Sequence, residues 1–399
     1  MKNKRFILGL ILSFGIVFAS CKKETEEIEN NTIEVSRNTI VNSNISSNTT
    51  WTCDKIYELS GHITVLNGAT LTIEPGTIIK GQAGTGTNSS ALIIARGGKI
   101  MAEGTADKPI IFTSVADEIS PEDITAGNFA SPNLDPNIRG LWGGVLVLGK
   151  AQISASNEET GEQFTEIQIE GIPTSNPNGL YGGNNNDDNS GILKYISIRH
   201  GGTNIGSGNE INGLTLGGVG SGTIIDNIEI VANDDDGIEF FGGTVNITNV
   251  ITWNVNDDGL DTDQAWAGSC NNFVIITPAG HCFELDGPEG SYSNDGHLFE
   301  NGYVIASDAD VTSGDLINVD DNTVVKLKNI TFVNVVNGQK INKVTAPGVV
   351  FENIKIDVPA DSLSNHINGI VPSGVSVGSN TQVDFSKFSW TWAHSTGKI

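Results

Sequence analysis

The sequence predicts an all-β solenoid, a parallel β-helix with coils of about 22–29 residues, and two repeating patterns support this prediction. The first pattern is an Asn flanked by alternating apolar residues, at Asn227, Asn249, Asn272, Asn301, Asn329 and Asn353. The second is a Gly followed by an apolar residue, at Gly191, Gly213, Gly237 and Gly259. Repeats of this length indicate a solenoid, and short alternating stretches between Gly, Asn and Asp indicate strands and turns.

The repeated Asn predicts a ladder of side chains. Equivalent residues of neighbouring coils stack about 4.8 Å apart. Stacked Asn amides can each donate a hydrogen bond to one neighbour and accept one from the other. A buried amide needs such partners, so we expect the ladder inside the coil. The Leu-x-x-Leu-x-Leu signature of leucine-rich repeats, the competing architecture, is missing.

Composition limits the possible partners and classes. Acidic residues outnumber basic ones 47 to 22, which gives a net charge of −25. Such a charge repels phosphate backbones, so we expect no nucleic-acid partner. The chain is 38% hydrophobic and has only 12 Pro, which excludes a wholly disordered chain and a collagen. Four Cys in 399 residues do not form a disulfide scaffold.

The N-terminus predicts export. Basic residues at Lys2, Lys4 and Arg5 precede an apolar stretch at 6–19, which is too short to cross a bilayer and fits a signal peptide over 1–20. The small residues before Cys21 resemble the lipobox of bacterial lipoproteins. That resemblance implies cleavage before Cys21 and a lipid on its sulfur. The alternative is an ordinary signal peptide with an incidental Cys.

The residues after Cys21 predict where the protein is displayed. The acidic run at 22–27 resembles the surface-export signals of Bacteroidota lipoproteins, which implies a lipid-anchored outer-membrane protein facing the cell exterior. The periplasmic leaflet is the alternative. Residues 21–50, rich in Asn, Ser and Thr, are expected to form a flexible linker, and 51–399 the β-helix domain.

Several sequence segments of the domain resemble those of a known family. They lie at 68–81, 98–112 and 235–245 and are similar to Bacteroidota surface lipoproteins with a pectin-lyase-like, right-handed parallel β-helix. The resemblance covers nearly all of 51–399. It implies the fold and supplies no established activity. Trp390 and Trp392 are interpreted as part of a cap on the C-terminal end of the solenoid.

Two acidic clusters predict a cation site. Their members lie one coil apart, because Asp235 and Asp257, Asp236 and Asp258, and Glu239 and Asp261 are each separated by 22 residues. Carboxylates stacked so closely repel one another and favour a cation, and calcium prefers several oxygen ligands. We therefore expect calcium and no organic cofactor. The alternative is a row of solvated acidic corners. The candidate ligands are Asp234, Asp235, Asp236, Glu239, Asp257, Asp258, Asp261 and Asp263, and Glu284 and Asp286 would extend the row.

A second interpretation is catalytic. Asp236 with its neighbours, Asp257-Asp258, Gly280-His281 and the Lys326–Lys328 segment resemble the ordered active-site motifs of polygalacturonases. The resemblance implies acid and base roles for Asp236, Asp257 and Asp258. It implies that His281 orients a sugar and that Lys326 or Lys328 holds a uronate carboxylate. Asp234, Cys282 and Lys326 depart from the motifs.

The remaining candidates are cysteines and tryptophans. Cys270 and Cys282 lie 12 residues apart and either form a disulfide in an oxidising envelope or remain free. Trp142, Trp253 and Trp266 are sugar-stacking platforms if they are exposed, and packing residues otherwise.

The sequence therefore predicts a non-enzymatic, calcium-stabilised module for glycan binding or adhesion to surface proteins. A polysaccharide-degrading enzyme, either a glycoside hydrolase or a polysaccharide lyase, is the alternative, and a purely structural envelope lipoprotein is another.

Overall fold

The computed structural model describes residues 38–157, 159–204 and 211–399. The predicted signal peptide, Cys21 and the linker up to residue 37 lie outside this part of the chain. The described strands are β1 Asn38–Val41, β2 Thr49–Trp51, β3 Ile56–Leu59, β4 His62–Val65, β5 Thr70–Ile73, β6 Ile78–Gly81, β7 Ala91–Ile94, β8 Lys99–Glu103, β9 Ile110–Ser114, β10 Val145–Leu148, β11 Ala155–Ser156, β12 Gln163–Phe164, β13 Glu166–Gln168, β14 Leu180–Gly182, β15 Gly191–Arg199, β16 Leu214–Gly217, β17 Ile224–Val231, β18 Ile238–Phe241, β19 Ile247–Trp253, β20 Leu260–Asp263, β21 Ser269–Ile276, β22 Phe283–Leu285, β23 His297–Ile305, β24 Asn318–Val319, β25 Val325–Val333, β26 Val349–Glu352, β27 Ile354–Ile356 and β28 Val375–Val377. Two short α-helices, α1 Pro121–Ala126 and α2 Trp392–Ser395, and 3-10 turns at Gly86–Asn88, Pro177–Gly179, Leu363–His366 and Phe385–Phe388 complete these elements.

Two long parallel sheets form the walls of the solenoid, which confirms the predicted parallel β-helix. The larger sheet runs in the order β1-β3-β6-β9-β15-β17-β19-β21-β23-β25-β27-β28, with β2, β5, β8 and β26 beside this path. The smaller sheet runs in the order β4-β7-β10-β16-β18-β20-β22-β24. Each coil therefore contributes a strand to one sheet, turns a corner and contributes a strand to the other.

The core follows from the register. Ile225, Ile247, Cys270, Phe299 and Leu327 are successive partners across five strands of the larger sheet, and all are buried. Because the side chains of a strand alternate between its two faces, one apolar column per alternate position fills the space between the sheets. The β-branched and aromatic residues that the repeat supplies at these positions are those that pack well on a sheet.

The repeated Asn residues stack as predicted, at a bend within the strands of the larger sheet. Asn272 donates to the Oδ1 of Asn249 at 2.7 Å, Asn329 to Asn301 at 3.0 Å and Asn353 to Asn329 at 2.8 Å. The ladder is interrupted where Asn301 donates to Asn271 instead, and it does not include Asn227, because Asn249 donates to Asp226. Most of these side chains are half-exposed, so the expectation of a fully buried ladder was wrong. Their φ angles are positive, between 55° and 62°, a conformation that Asn tolerates better than most residues.

The β-helix begins earlier than the sequence suggested. β1 pairs in parallel with β3, and β2 pairs with β5, so the segment from residue 38 to residue 50 forms part of the first coil. The prediction that the flexible linker extends to residue 50 was therefore wrong. Asn and Thr side chains in this segment bond the next coil, since Asn44 and Asn48 accept from the backbone amides of Thr64 and Thr70.

Three segments cover the outer faces of the sheets. Ile119 and Ile124, in and beside α1, pack on Ile78 and Ile111 of the larger sheet. The chain from β11 to β14 packs on the smaller sheet, where Tyr181 lies within a second apolar cluster. These coverings explain why both faces of many strands are apolar.

The C-terminal segment is the third covering and corrects the predicted cap. Trp392 and Phe388 pack against Ile251 and Val274 on the outer face of the larger sheet, and the Trp390 and Tyr195 rings lie 5.6 Å apart. Tyr195 and Ile251 belong to β15 and β19, in the middle of the solenoid. The segment therefore runs back along the solenoid and does not close its end.

Two further expectations are corrected by burial and bonding. Cys270 and Cys282 are free thiols, each buried in the apolar core, so of the two alternatives the structure has the free form and not the disulfide. Trp142, Trp253 and Trp266 are all buried and therefore cannot act as sugar platforms. The indoles of Trp142 and Trp266 donate to the carbonyls of Arg199 and Val245, as buried polar groups require.

Within the described residues, no helix has the length and apolar character to cross a membrane.

Candidate functional site

Six acidic residues belong to two columns along the smaller sheet, which we call the corner column and the strand column. Backbone hydrogen bonds between coils align the corner column, which consists of Asn212, Asp236, Asp258, His281 and Asp315. The strand column lies three residues further along each coil and consists of Thr215, Glu239, Asp261, Glu284 and Asn318. Every coil in this region therefore places two polar side chains near each other.

Glycine allows the corners to stack closely. A Cβ on Gly237 would lie 2.5 Å from the carbonyl oxygen of Gly259, and a Cβ on Gly259 would lie 2.7 Å from that of Cys282. The next residues, Ile238 and Leu260, point into the core, so Glu239 and Asp261 point outward. The Asp-Gly-apolar-acid sequence thus fixes both the corner and the direction of the following carboxylate.

Three buried carboxylates form the deepest part of the site. Asp236, Glu239 and Asp261 each offer an oxygen within 4.8 Å of the others, and only 7%, 6% and 8% of these residues is exposed. The backbone N–H of Asp258 donates to Asp236 at 2.9 Å, and Asn212 donates to Glu239. The Oδ1 of Asp261 is buried and has no hydrogen-bond partner among the described residues. The group is therefore under-coordinated for its charge.

Burial and mutual repulsion act on these three groups together. Burial raises the pKa of Asp236, Glu239 and Asp261 well above their ordinary values, and the neighbouring carboxylates raise it further. A dication would reverse this balance, because it stabilises the charged form of all three. The donor set consists of oxygen atoms only, which fits calcium.

The other predicted ligands lie at the edge of this group or apart from it. Asp235 and Asp257 bring oxygens within 4.8 Å of Asp236 and are more exposed. Asp263 hydrogen-bonds Glu239, and burial with the charges of Glu289 and Asp286 raises its pKa to about 7. Asp234 interacts with the positive charge of Arg139, and it belongs to none of the candidate metal groups among the described residues.

Asp258, His281 and Glu284 form a second group beside the first. The Nδ1 of His281 lies 3.0 Å from Oδ1 of Asp258 and 4.0 Å from Oε2 of Glu284. Hydrogen bonding to Asp258 raises the pKa of His281 to about 9 and that of Glu284 to about 8. Burial alone would raise the pKa of Asp258, but hydrogen bonds from His281 and Glu284 lower it below its ordinary value. These hydrogen bonds therefore favour the ionised form of Asp258.

The two predicted lysines are not brought to this site. Lys326 and Lys328 lie on β25 of the larger sheet, where they form ion pairs with Glu352 at 2.5 Å and Glu300 at 2.6 Å. In the described parts of the chain, neither lysine pairs with a carboxylate of the two columns. The structure therefore does not bring either lysine to the acids and His281, contrary to what the resemblance to polygalacturonases implied.

Sequence reasoning missed Asn212. Its signal was the Gly series, because Asn212-Gly213 lies one coil before Asp236-Gly237. An amide carries no charge, and the pattern that predicted the site consisted of acidic residues only, so it did not include Asn212. Its Oδ1 is buried and has no partner in the described residues, while its Nδ2 contacts Glu239.

Comparison with known proteins places the fold within a family. No curated protein matches the chain at a significant level. A family model described as the pectate-lyase like beta helix domain matches residues 43–127 and 129–369, which is most of the chain and includes both polar columns. The chain therefore belongs to the pectate-lyase-like beta helix family.

Proposed function

We propose that the protein is a lipid-anchored outer-membrane protein whose β-helix is a calcium-stabilised module that binds glycans or surface proteins outside the cell. The observation that carries this proposal is the group of three buried carboxylates, Asp236, Glu239 and Asp261, whose oxygens converge with one unpartnered atom. Calcium would join two neighbouring coils, those of β18 and β20, at one point. Asp235 and Asp257, at the surface of the same corner, would stay accessible to a ligand.

The ligand would be recognised by polar contacts. The three tryptophans that the sequence offered as stacking platforms are buried, so sugar rings would meet carboxylates, amides and calcium rather than indole faces. The net charge of −25 favours neutral glycans or basic protein surfaces over polyanions. A glycan array probed with and without calcium tests whether the protein binds glycans. If it binds no glycan under either condition, a purely structural role is favoured.

Calcium is expected to raise the melting temperature of the mature chain. Binding to the folded state alone stabilises it by about 2.7 kcal/mol at a hundredfold excess over Kd. Magnesium should do less, because it requires a tighter octahedral shell and releases water reluctantly. The double variant Glu239→Gln with Asp261→Asn should lose the calcium effect. In chelator it should be at least as stable as wild type, because like-charge repulsion is relieved.

A matched control is available at another corner of the solenoid. Asp320→Asn with Asp321→Asn also removes two negative charges, and both of these residues are exposed. This variant should keep the full calcium effect. Equal calcium shifts in wild type and in the Glu239–Asp261 variant would place the ion elsewhere. No shift in any variant would mean that protons, not calcium, neutralise the cluster.

Membrane attachment through Cys21 is tested separately. Cys21→Ser is expected to move the protein from the membrane fraction to the soluble fraction, because the lipid is attached through the sulfur. Protease treatment of intact cells expressing the wild type distinguishes the outer surface from the periplasmic leaflet. Unchanged membrane retention of Cys21→Ser would contradict the lipid anchor.

Polysaccharide cleavage is the second candidate, favoured by the meeting of Asp236, Asp257, Asp258 and His281 on consecutive coils. A glycoside hydrolase needs two carboxyl groups, which lie about 5–5.5 Å apart in enzymes that retain the anomeric configuration and about 6.5–9.5 Å apart in those that invert it. Oxygens of Asp236 and Asp257 lie within 4.8 Å of each other, which is closer to the retaining arrangement. Incubation with polygalacturonate and neutral plant or microbial glycans should then release reducing ends, and Asp258→Asn should abolish the release. Persistence of the activity in Asp258→Asn would exclude this site as its source.

A further inference from the structure

We propose that Asp258, His281 and Glu284 form a separate site for a transition-metal dication such as Zn²⁺, with one coordination position open to solvent. This proposal does not rest on calcium or glycan binding. Its ligand atoms lie beside the three-carboxylate group and share no residue with it.

The distances suit a small ion. Each of the three residues offers one ligand atom within 4.8 Å of the others, and His281 Nδ1 lies 3.0 Å and 4.0 Å from oxygens of Asp258 and Glu284. Ligand atoms around a tetrahedral zinc with bonds of about 2.1 Å lie about 3.4 Å apart. The observed separations fall on either side of that value, so small side-chain rotations would bring the three atoms to a common ion.

The donor set selects the kind of metal. An imidazole with two carboxylates suits zinc and neighbouring transition metals, whereas calcium takes oxygen ligands. The adjacent group of Asp236, Glu239 and Asp261 has oxygen donors only. The group with His281 is therefore expected to prefer zinc, and the oxygen-only group is expected to prefer calcium, although both lie on the same corner of neighbouring coils.

The backbone holds the imidazole in place. Gly280 comes close to Asp258, since a Cβ on Gly280 would lie 2.4 Å from the Oδ1 of Asp258. This close approach allows the backbone N–H of His281 to donate to Asp258 as well. Asp258 is thus fixed from two sides by the same residue. Metal ligands that are oriented by the surrounding chain bind more tightly than free ones.

Exposure leaves one side of the site open. The side chain of Asp258 is 1% exposed, while those of His281 and Glu284 are 29% and 33% exposed. Three protein ligands with a solvent-facing fourth position are typical of zinc sites that bind a water or a substrate. A fully enclosed structural site would need a fourth protein ligand.

Metal binding would replace the contact between the imidazole and the carboxylate. The Nδ1 atom of His281 faces Asp258, and zinc binds a neutral imidazole and ionised carboxylates. Any proton on these ligand atoms would pass to solvent as the ion binds.

Titration calorimetry of the mature chain with ZnCl₂ tests the proposal. We expect one zinc ion per chain, with binding weakened at least about tenfold in His281→Gln and in Glu284→Gln. Cobalt substitution should give the visible absorption of a tetrahedral ion in wild type, and His281→Gln should lose it. Melting curves without metal show whether each variant is folded.

Two controls separate this site from others. His394→Gln removes an exposed imidazole near the C-terminus and should leave zinc binding unchanged. The double variant Glu239→Gln with Asp261→Asn should keep zinc binding while it loses the calcium effect, so the failure of either site is distinguishable. No zinc binding by wild type, or equal affinities in wild type and both His281→Gln and Glu284→Gln, would overturn the proposal.

Discussion

Trp392→Ala is expected to lower the free energy of unfolding by about 3–5 kcal/mol, the usual range for removing a buried aromatic side chain. Trp392 is buried on the outer face of the larger sheet, where its ring lies 5.7 Å from those of Trp253 and His200. The guanidinium of Arg199 lies 5.0 Å from the same ring. The substitution would therefore leave a cavity among aromatic rings and remove a cation–π contact.

The substitution would also uncover a buried ion pair. Arg199 and Glu229 pair at 3.5 Å beneath the C-terminal segment, and the backbone N–H of Ala393 donates to Glu229 at 3.1 Å. Removing the cover would admit water to groups that are otherwise excluded from it, and loosening Ala393 would take away a donor from a buried carboxylate. The loss of a partner from a buried charged group is strongly destabilising.

Urea denaturation of the mature chain measures this effect. His394→Ala changes an exposed neighbour on the same helix and should shift the midpoint by no more than about 0.5 kcal/mol in free energy. Truncation after residue 384 should destabilise the chain at least as much as Trp392→Ala. If Trp392→Ala unfolds at the wild-type urea concentration, the C-terminal segment does not hold the solenoid.

The coils were predictable because backbone geometry imposes their period. Any residue that a corner requires must recur once per coil, and so Asn249, Asn272 and Asn329 appear in the sequence at coil spacing. The sequence predicted that these Asn side chains stack. It did not predict the positive φ at each Asn, which is a second reason for this residue type. A φ value that recurs in every coil is visible in the sequence only as a recurring residue type.

The outer coverings were not predictable from the repeat. Ile251 and Val274 point away from the core and are nevertheless buried, because Trp392 and Phe388 return from the C-terminus to cover them. Alternation shows that a residue faces outward, but it does not show what lies on it. The buried Trp253 follows from the same fact. The family match also ends before this segment, at residue 369.

The sequence predicted where the acidic site lies in the β-helix, but it predicted only some of the residues that form the site. The spacing of 22 residues placed Asp236 beside Asp258 and Glu239 beside Asp261, as the structure has them. Asp234 was assigned to the same group because it adjoins Asp235, but it interacts with the charge of Arg139, which belongs to the segment inserted between β9 and β10. An insertion has no fixed phase relative to the coils, so its charges could not be assigned to a corner. Lys326 and Lys328 were misplaced because motif order does not specify which sheet a strand joins.

Acidification below pH 6.5 is expected to destabilise the wild type more than His297→Gln. His297 lies at the start of β23 and is buried against Trp266 and Phe299, with ring centroids 5.1 Å and 5.5 Å away. Burial lowers the pKa of His297 from 6.5 to about 3. The folded protein therefore keeps this imidazole neutral at a pH at which the unfolded chain already binds a proton.

The sign follows from proton linkage. Between about pH 6.5 and pH 3 the unfolded state holds the extra proton, so the free energy of unfolding falls as the pH falls, by up to about 1.4 kcal/mol per pH unit. Above pH 6.5 neither state is protonated at His297, and this contribution is constant. From pH 8 to pH 4.5 the loss at this one residue is about 2.7 kcal/mol. Carboxylates and the other histidines titrate in both proteins, so their contributions cancel in the difference.

The measurement is the free energy of unfolding of both proteins in urea at pH 8, 6, 5 and 4.5. His297→Gln should be less stable than wild type at pH 8, because it disturbs a packed aromatic group, and the gap should narrow by about 2–3 kcal/mol at pH 4.5. His394→Gln, which changes an exposed histidine, should keep the wild-type dependence on pH. A gap between His297→Gln and wild type that stays constant from pH 8 to pH 4.5 would show that His297 is protonated equally in the folded and unfolded states. Its ring would then have to reach water through the adjoining cavity, whose lining includes His297, Trp266 and Val324.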